Sequence, residues 1–353
     1  MARNEGGRQI WPDLLRVAAS FAVVILHVAG SRMEGAAGGD WMVFNVYNGL
    51  VRWCVPVFVM LSGMFMLDPG RPLPLTKLLF HHVLRIVTAL LFWGTVYHLA
   101  LLLEAGGSLT PAAVWDAFYS VLLGDTHYHL WFLPMIVGLY LLTPLLRAFV
   151  RGADRGTLAW FFLVWGVVCL LFPLFQFFHE SGTAEHWLWA MYYSTETIKY
   201  AGFYVMGYCL RRYTLNRAAE LLIYLLGIAG AVVTVGGTAL LRSRGADSLI
   251  LYEYCTPNVA LTALAVGVLF RYVLGVSEER SRRTRMPGVA RVSFGLYLVH
   301  DLFLILLKHF GITNLSFLHP ALAVPVLAAG VFLCAWAAAW VLSKIPLVGR
   351  YIT

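Results

Sequence analysis

Residues 11–30 read WPDLLRVAASFAVVILHVAG, and this stretch decides the fold. Beyond Arg16 it contains no fully charged side chain. At 1.5 Å per residue a helix of this length crosses a hydrocarbon core about 30 Å thick. The same apolar texture returns at 48–67, 78–103, 128–149, 158–178, 198–210, 219–241, 254–275, 291–310 and 321–343. The segment 198–210 is the shortest of these. The reading is an all-α membrane protein, a polytopic bundle of about ten transmembrane helices. It is expected to form a single transmembrane domain, 1–353, with no appended soluble domain.

Composition excludes the alternatives. Of the 353 residues, 60% are hydrophobic and 12% charged, whereas soluble domains carry roughly 45–50% and about 25%. Charge then orients the chain. All of the 26 Lys and Arg except Arg32, Arg52, Lys199, Arg242, Arg244 and Lys308 fall on one side when the spans alternate. Positive charge marks the cytoplasmic side, so both termini are expected there. The formal net charge of +8 is then loop charge facing anionic lipid, with no nucleic acid implied. Arg3 and Arg8 before an apolar run imitate a secretion signal, but Asp13 and Arg16 interrupt the run and further spans follow. Five cysteines lie in or beside apolar segments without a C-x-x-C spacing, as small core residues do.

Three outer connections, 31–47, 104–127 and 179–197, exceed what a turn requires. They hold most of the outer acids together with His127, His179 and His186, and His129 follows close behind. The inner stretch 276–290 carries Glu278, Glu279, Arg280, Arg282, Arg283 and Arg285 and reads as a solvated linker.

Ionisable side chains inside spans are costly and therefore functional candidates. On the first span His27 lies eleven residues beyond Arg16. Eleven steps of 100° return to within about 20° of the same face and rise about 16 Å. Arg suits phosphate or carboxylate, and a neutral imidazole can take a proton from a hydroxyl near pH 7. On the second span Pro56 frees a backbone carbonyl, and Ser62-Gly63 lets another chain approach, for packing or for function. On the third, His82 and Arg85 are three apart at the inner boundary, placed for a phosphorylated donor or for lipid phosphate. The fourth opens with His129 and Trp131 at the outer interface, where Trp belongs to any membrane protein's aromatic belt. The ninth carries Tyr297, His300 and Asp301, and an intramembrane His beside an Asp demands partners.

These motifs have a family likeness. The Arg-x10-His pattern of Arg16 and His27, Val-Pro-Val-Phe-x3-Ser-Gly at 55–63, His-Leu-Trp-Phe at 129–132 and Ser-Phe-Gly-x-Tyr-x-x-His at 293–300 resemble the acyltransferase-3 family of integral membrane O-acyltransferases. Within it the chain is most similar to the branch containing the O-acetyltransferase of enterobacterial common antigen. The resemblance implies an enzyme of the bacterial cytoplasmic (inner) membrane. It would move an acyl group, acetyl by default, from acetyl-CoA on the cytoplasmic side to a hydroxyl of a carbohydrate or lipid-linked glycan. His27 would be the catalytic histidine, with Arg16 its partner in the same motif. Arg85, His82, Ser62 and Gly63 would serve the donor, and His129, Trp131, Tyr297 and His300 the acceptor. Where the family often has Arg-x-x-Arg, this chain has His82-x-x-Arg85. No metal is expected. The competing expectation is a proton-coupled transporter or flippase, with His27, His300 and Asp301 as a relay.

Overall fold

The computed structural model describes residues 9–178, 196–246, 248–275, 286–313, 318–346 and 349–353. Among them there is no β-strand. The helices are α1 (Trp11–Gly30), α2 (Gly38–Val51), α3 (Cys54–Met66), α4 (Leu75–Glu104), α5 (Pro111–Leu122), α6 (Tyr128–Gly152), α7 (Arg155–Phe175), α8 (Glu196–Arg212), α9 (Arg217–Ser243), α10 (Ile250–Leu274), α11 (Met286–Arg291), α12 (Ser293–His309), α13 (Pro320–Leu342) and α14 (Gly349–Ile352). Every apolar run expected to span is helical. Among the described residues, eight segments, counting α2 and α3 as the continuous Gly38–Met66, are long and apolar enough to cross a membrane. The helices α8 and α12, at 17 residues each, are shorter than the roughly 20 that a perpendicular span uses. The chain is a multi-pass, all-α membrane protein.

Two expected loops contain helix. The connection 31–47 gives way at Gly38, whose φ of +56° is open to glycine without strain, and α2 runs from there. Within 104–127, α5 begins where Thr110 Oγ1 accepts the Ala113 amide at 3.1 Å and Pro111 occupies the first turn. Proline suits that position because its missing N–H would be unbonded there. A helix this short was hidden by the polar residues around it. Residues 179–195 and 276–285, with His179, His186 and the charged linker, lie outside the described residues.

Side-chain caps start two further helices. Asp154 accepts the Thr157 amide at 2.7 Å before α7, and Asn216 accepts the Ala219 amide at 2.8 Å before α9. The Thr157 hydrogen bonds hold the Asp154 carboxyl below its ordinary value.

The described chain divides into two compact units. Unit 1 comprises Met1–Asp68 and Leu146–Arg291. Its tightest contact joins α3 to α8, where glycines let the backbones meet. A Cβ on Gly63 would strike the Tyr204 carbonyl, and one on Gly207 would strike the Met60 carbonyl. The α9–α10 contact uses the same device, with Gly230 against the Asn258 backbone. Lipid gives no hydrophobic drive between helices, so close packing of small residues supplies association instead.

Unit 2 comprises Pro69–Leu145 and Val292–Thr353. Side chains of α4 reach backbone oxygens elsewhere in the unit. Tyr97 donates to the Leu298 carbonyl on α12 at 2.8 Å, and Trp93 donates to the Ile352 carbonyl on α14 at 2.7 Å. Gly295 on α12 leaves room for Ala339 and Thr353.

Candidate active site

In unit 1 the helix α1 carries both members of the Arg-x10-His pair, each half-buried. Arg16 stands 3.9 Å from Asp13 and faces the Phe65 ring of α3 at 5.9 Å. Arg211 of α8 approaches the same ring at 5.4 Å and Asp68 at 3.8 Å. Arg147 donates to the Met66 carbonyl at 2.7 Å. Three guanidinium groups therefore gather around the C-terminal end of α3. Two of them, Arg147 and Arg211, had been read only as inner loop charge. Ser62 and Gly63 lie one turn earlier on α3, with Gly63 in the contact with α8.

His27 occupies the last turn of α1, beside α2. Asn48 donates to the Leu26 carbonyl at 3.3 Å and accepts from Arg52 Nε at 2.7 Å. Arg52 also bonds the Tyr252 carbonyl at 3.4 Å and lies over the Tyr252 ring at 4.4 Å. Tyr252 in turn bonds Asn45. This buried polar group beside His27 was missed because asparagines on an apolar stretch look like ordinary helix residues. The one available signal was their spacing: Asn45, Asn48 and Arg52 stand at i, i+3 and i+7, the positions of one helix face.

In unit 2 the donor candidates His82 and Arg85 lie on α4, but a π-helical turn at Leu78–Val83 intervenes. Its i→i+5 bonding changes the angular spacing on which the shared face was reasoned. Arg85 donates to the Thr353 carbonyl and lies 5.1 Å from the Phe294 ring. His82 packs edge-on to His81 at 5.1 Å and to Tyr140 at 6.2 Å. Each packs against its own neighbours.

The acceptor candidates, by contrast, converge. Tyr297 bonds the His129 carbonyl, His300 Nδ1 is 2.7 Å from the Tyr297 carbonyl, and the His129 and His300 rings meet edge-on at 5.2 Å. Trp131, half-buried, ends the first turn of α6 beside Phe132. Around this core stand four residues outside the expected site. Tyr97 stacks on His127 at 4.4 Å, Tyr128 donates to Asp301 Oδ1 at 2.8 Å, and His127 Nδ1 is 3.5 Å from Asp301 Oδ2. Asp301 thus finds the partners its position required. Burial, with His98 nearby, pushes the His127 imidazole down to about 4, so the ring is uncharged near neutrality.

The sequence profile of the acyltransferase-3 family, described as an acyltransferase domain, matches residues 9–340. The chain belongs to this family. It is therefore a membrane acyltransferase, and the match covers every candidate residue of both units. No curated protein and no solved structure matches it. A separate apolar cavity of about 740 Å³ in unit 1 of this acyltransferase, lined by Leu158, Phe162, Trp165 and Leu261 among others, contains none of those residues.

Proposed function

We propose that this acyltransferase moves an acyl group, acetyl by default, from acyl-CoA presented at the cytoplasmic side to a hydroxyl of a carbohydrate or lipid-linked glycan. The chain crosses the bacterial inner membrane ten times, with both termini cytoplasmic, in keeping with its charge distribution. The observation that carries the reading is α1 itself. In a chain of this family, one unbroken helix holds a half-buried His27 and, eleven residues earlier, an arginine.

A thioester is already activated, so the protein must chiefly align the groups and take up the hydroxyl proton. His27 accepts that proton through a ring nitrogen as the hydroxyl oxygen attacks the thioester carbon. The thiolate of CoA leaves. Arg16, with Arg211 and Arg147 around the end of α3, supplies fixed positive charge for the donor's phosphates. His129, Trp131, Tyr297 and His300 line the acceptor's place. Aromatic faces beside hydrogen-bonding groups suit a sugar, which has both an apolar and a hydroxylated side. With acyltransferase membership established, the transporter reading is dropped.

The deciding assay uses purified protein, acetyl-CoA and a glycan acceptor, with release of free CoA as the readout. His27→Ala should lower turnover by at least the ~10²–10⁴-fold that a general base contributes, with unchanged expression and melting behaviour. Full activity in that variant would refute the role of His27.

A further inference from the structure

Beyond acyl transfer, the cluster at the start of α6 has the chemistry of a metal centre. His127 and His129 form a His-x-His pair across Tyr128, and Asp301 comes from α12 within the same unit. One donor atom from each lies within 4.8 Å of the other two. The two imidazole Nδ1 atoms are 2.9 Å apart, and His127 Nδ1 stands 3.5 Å from Asp301 Oδ2. Ligands at about 2.0–2.2 Å around a tetrahedral zinc ion stand roughly 3.3 Å from one another, and these two separations bracket that value.

The surroundings resemble the outer layer of a metal site. His129 and Asp301 are buried, at 2% and 3% exposure. Tyr128 donates to Asp301 Oδ1, which leaves Oδ2 turned toward the histidines. Hydrogen bonds of this kind orient a ligating carboxylate. Tyr97 packs against both imidazole rings, at 4.4 and 4.9 Å, and restricts their rotation.

We propose that His127, His129 and Asp301 bind one divalent ion of the zinc class. Two imidazoles and one carboxylate are the nitrogen and oxygen donors such ions select. Three protein ligands leave a fourth position open, as in sites that handle a substrate. Resting on the acyl-transfer reading, that position takes a hydroxyl oxygen of the acceptor, next to His300 and Tyr297.

The test uses the full chain in detergent, purified on a tag without histidines and stripped with chelator, then titrated with Co²⁺ as a spectroscopic probe. One Co²⁺ per chain should bind, with visible d–d absorption of a tetrahedral site and no sulfur-to-cobalt charge-transfer band, and Zn²⁺ should displace it. His129→Ala and Asp301→Asn should abolish the signal. Tyr128→Phe, which keeps the ring, should weaken binding by about 10–100-fold. Absence of Co²⁺ and Zn²⁺ binding by the wild-type chain at micromolar ion, or equal binding by wild type and His129→Ala, overturns the proposal. Binding is read without any donor or sugar, so failure of the glycan reading would leave this result standing.

Discussion

Arg52 shows how a charge is accommodated at the junction of α2 and α3. It sits at the C-terminal end of α2, where unpaired carbonyls favour a cation. Asn48 and the Tyr252 carbonyl accept its N–H groups, and the Tyr252 ring covers it. Asn48 is the pivot, because it is buried and its amide serves both α1 and Arg52. Replacing it leaves a guanidinium and a backbone carbonyl short of partners. Asn48→Ala should therefore cost about 1–3 kcal/mol, read as a lower thermal midpoint in detergent. His27 lies on the same end of α1, so the variant should also slow acyl transfer more than a surface change would. From the residues alone, Arg52 is only one of the few outer-side charges, at the start of an expected span. Asn48 is a near neighbour in sequence, but Tyr252 lies 200 residues away along the chain, and no local pattern announces it.

At the scale of the element, α3 and α8 offer the sharpest test. Ser62-Gly63 was read as either a packing or a functional signature, and close approach to Tyr204 accounts for Gly63 by packing. A methyl there has nowhere to go, since the obstructing atoms are backbone. Gly63→Ala and Gly207→Ala should each destabilise by at least ~1–3 kcal/mol. Gly152→Ala, where nothing lies within 4 Å, should be neutral or slightly stabilising. A smaller effect belongs to the cap of α9. Asn216→Ala removes the acceptor for the Ala219 amide and should cost about 1 kcal/mol, with wild-type turnover. Against these, α1 was legible in full: its ends and its length follow from the apolar run. The face shared by His82 and Arg85 was less so, because a π turn alters the register and its cause is not local propensity.

For the whole molecule, the proposed orientation makes a direct prediction. Ser108, exposed between α4 and α5, belongs to the outer side, and Gly152, at the end of α6, to the inner. With native thiols as the blank, a membrane-impermeant maleimide should label Ser108→Cys on intact spheroplasts and Gly152→Cys only after permeabilisation. The opposite pattern would reverse the assigned orientation. The helical membrane class was decided by the sequence alone, because hydrocarbon tolerates no unbonded backbone and an apolar run of about 20 residues has little choice but helix. The candidate pair Arg16 and His27 was decided at the same level, since both lie on one rigid rod. Only tertiary structure decided that His127, His129, Tyr128 and Asp301 meet, and that arginines 16, 147 and 211 gather around one helix end. Asp301 is remote in the chain from the other three, as the arginines are from one another, and side-chain packing, not periodicity, selects those contacts.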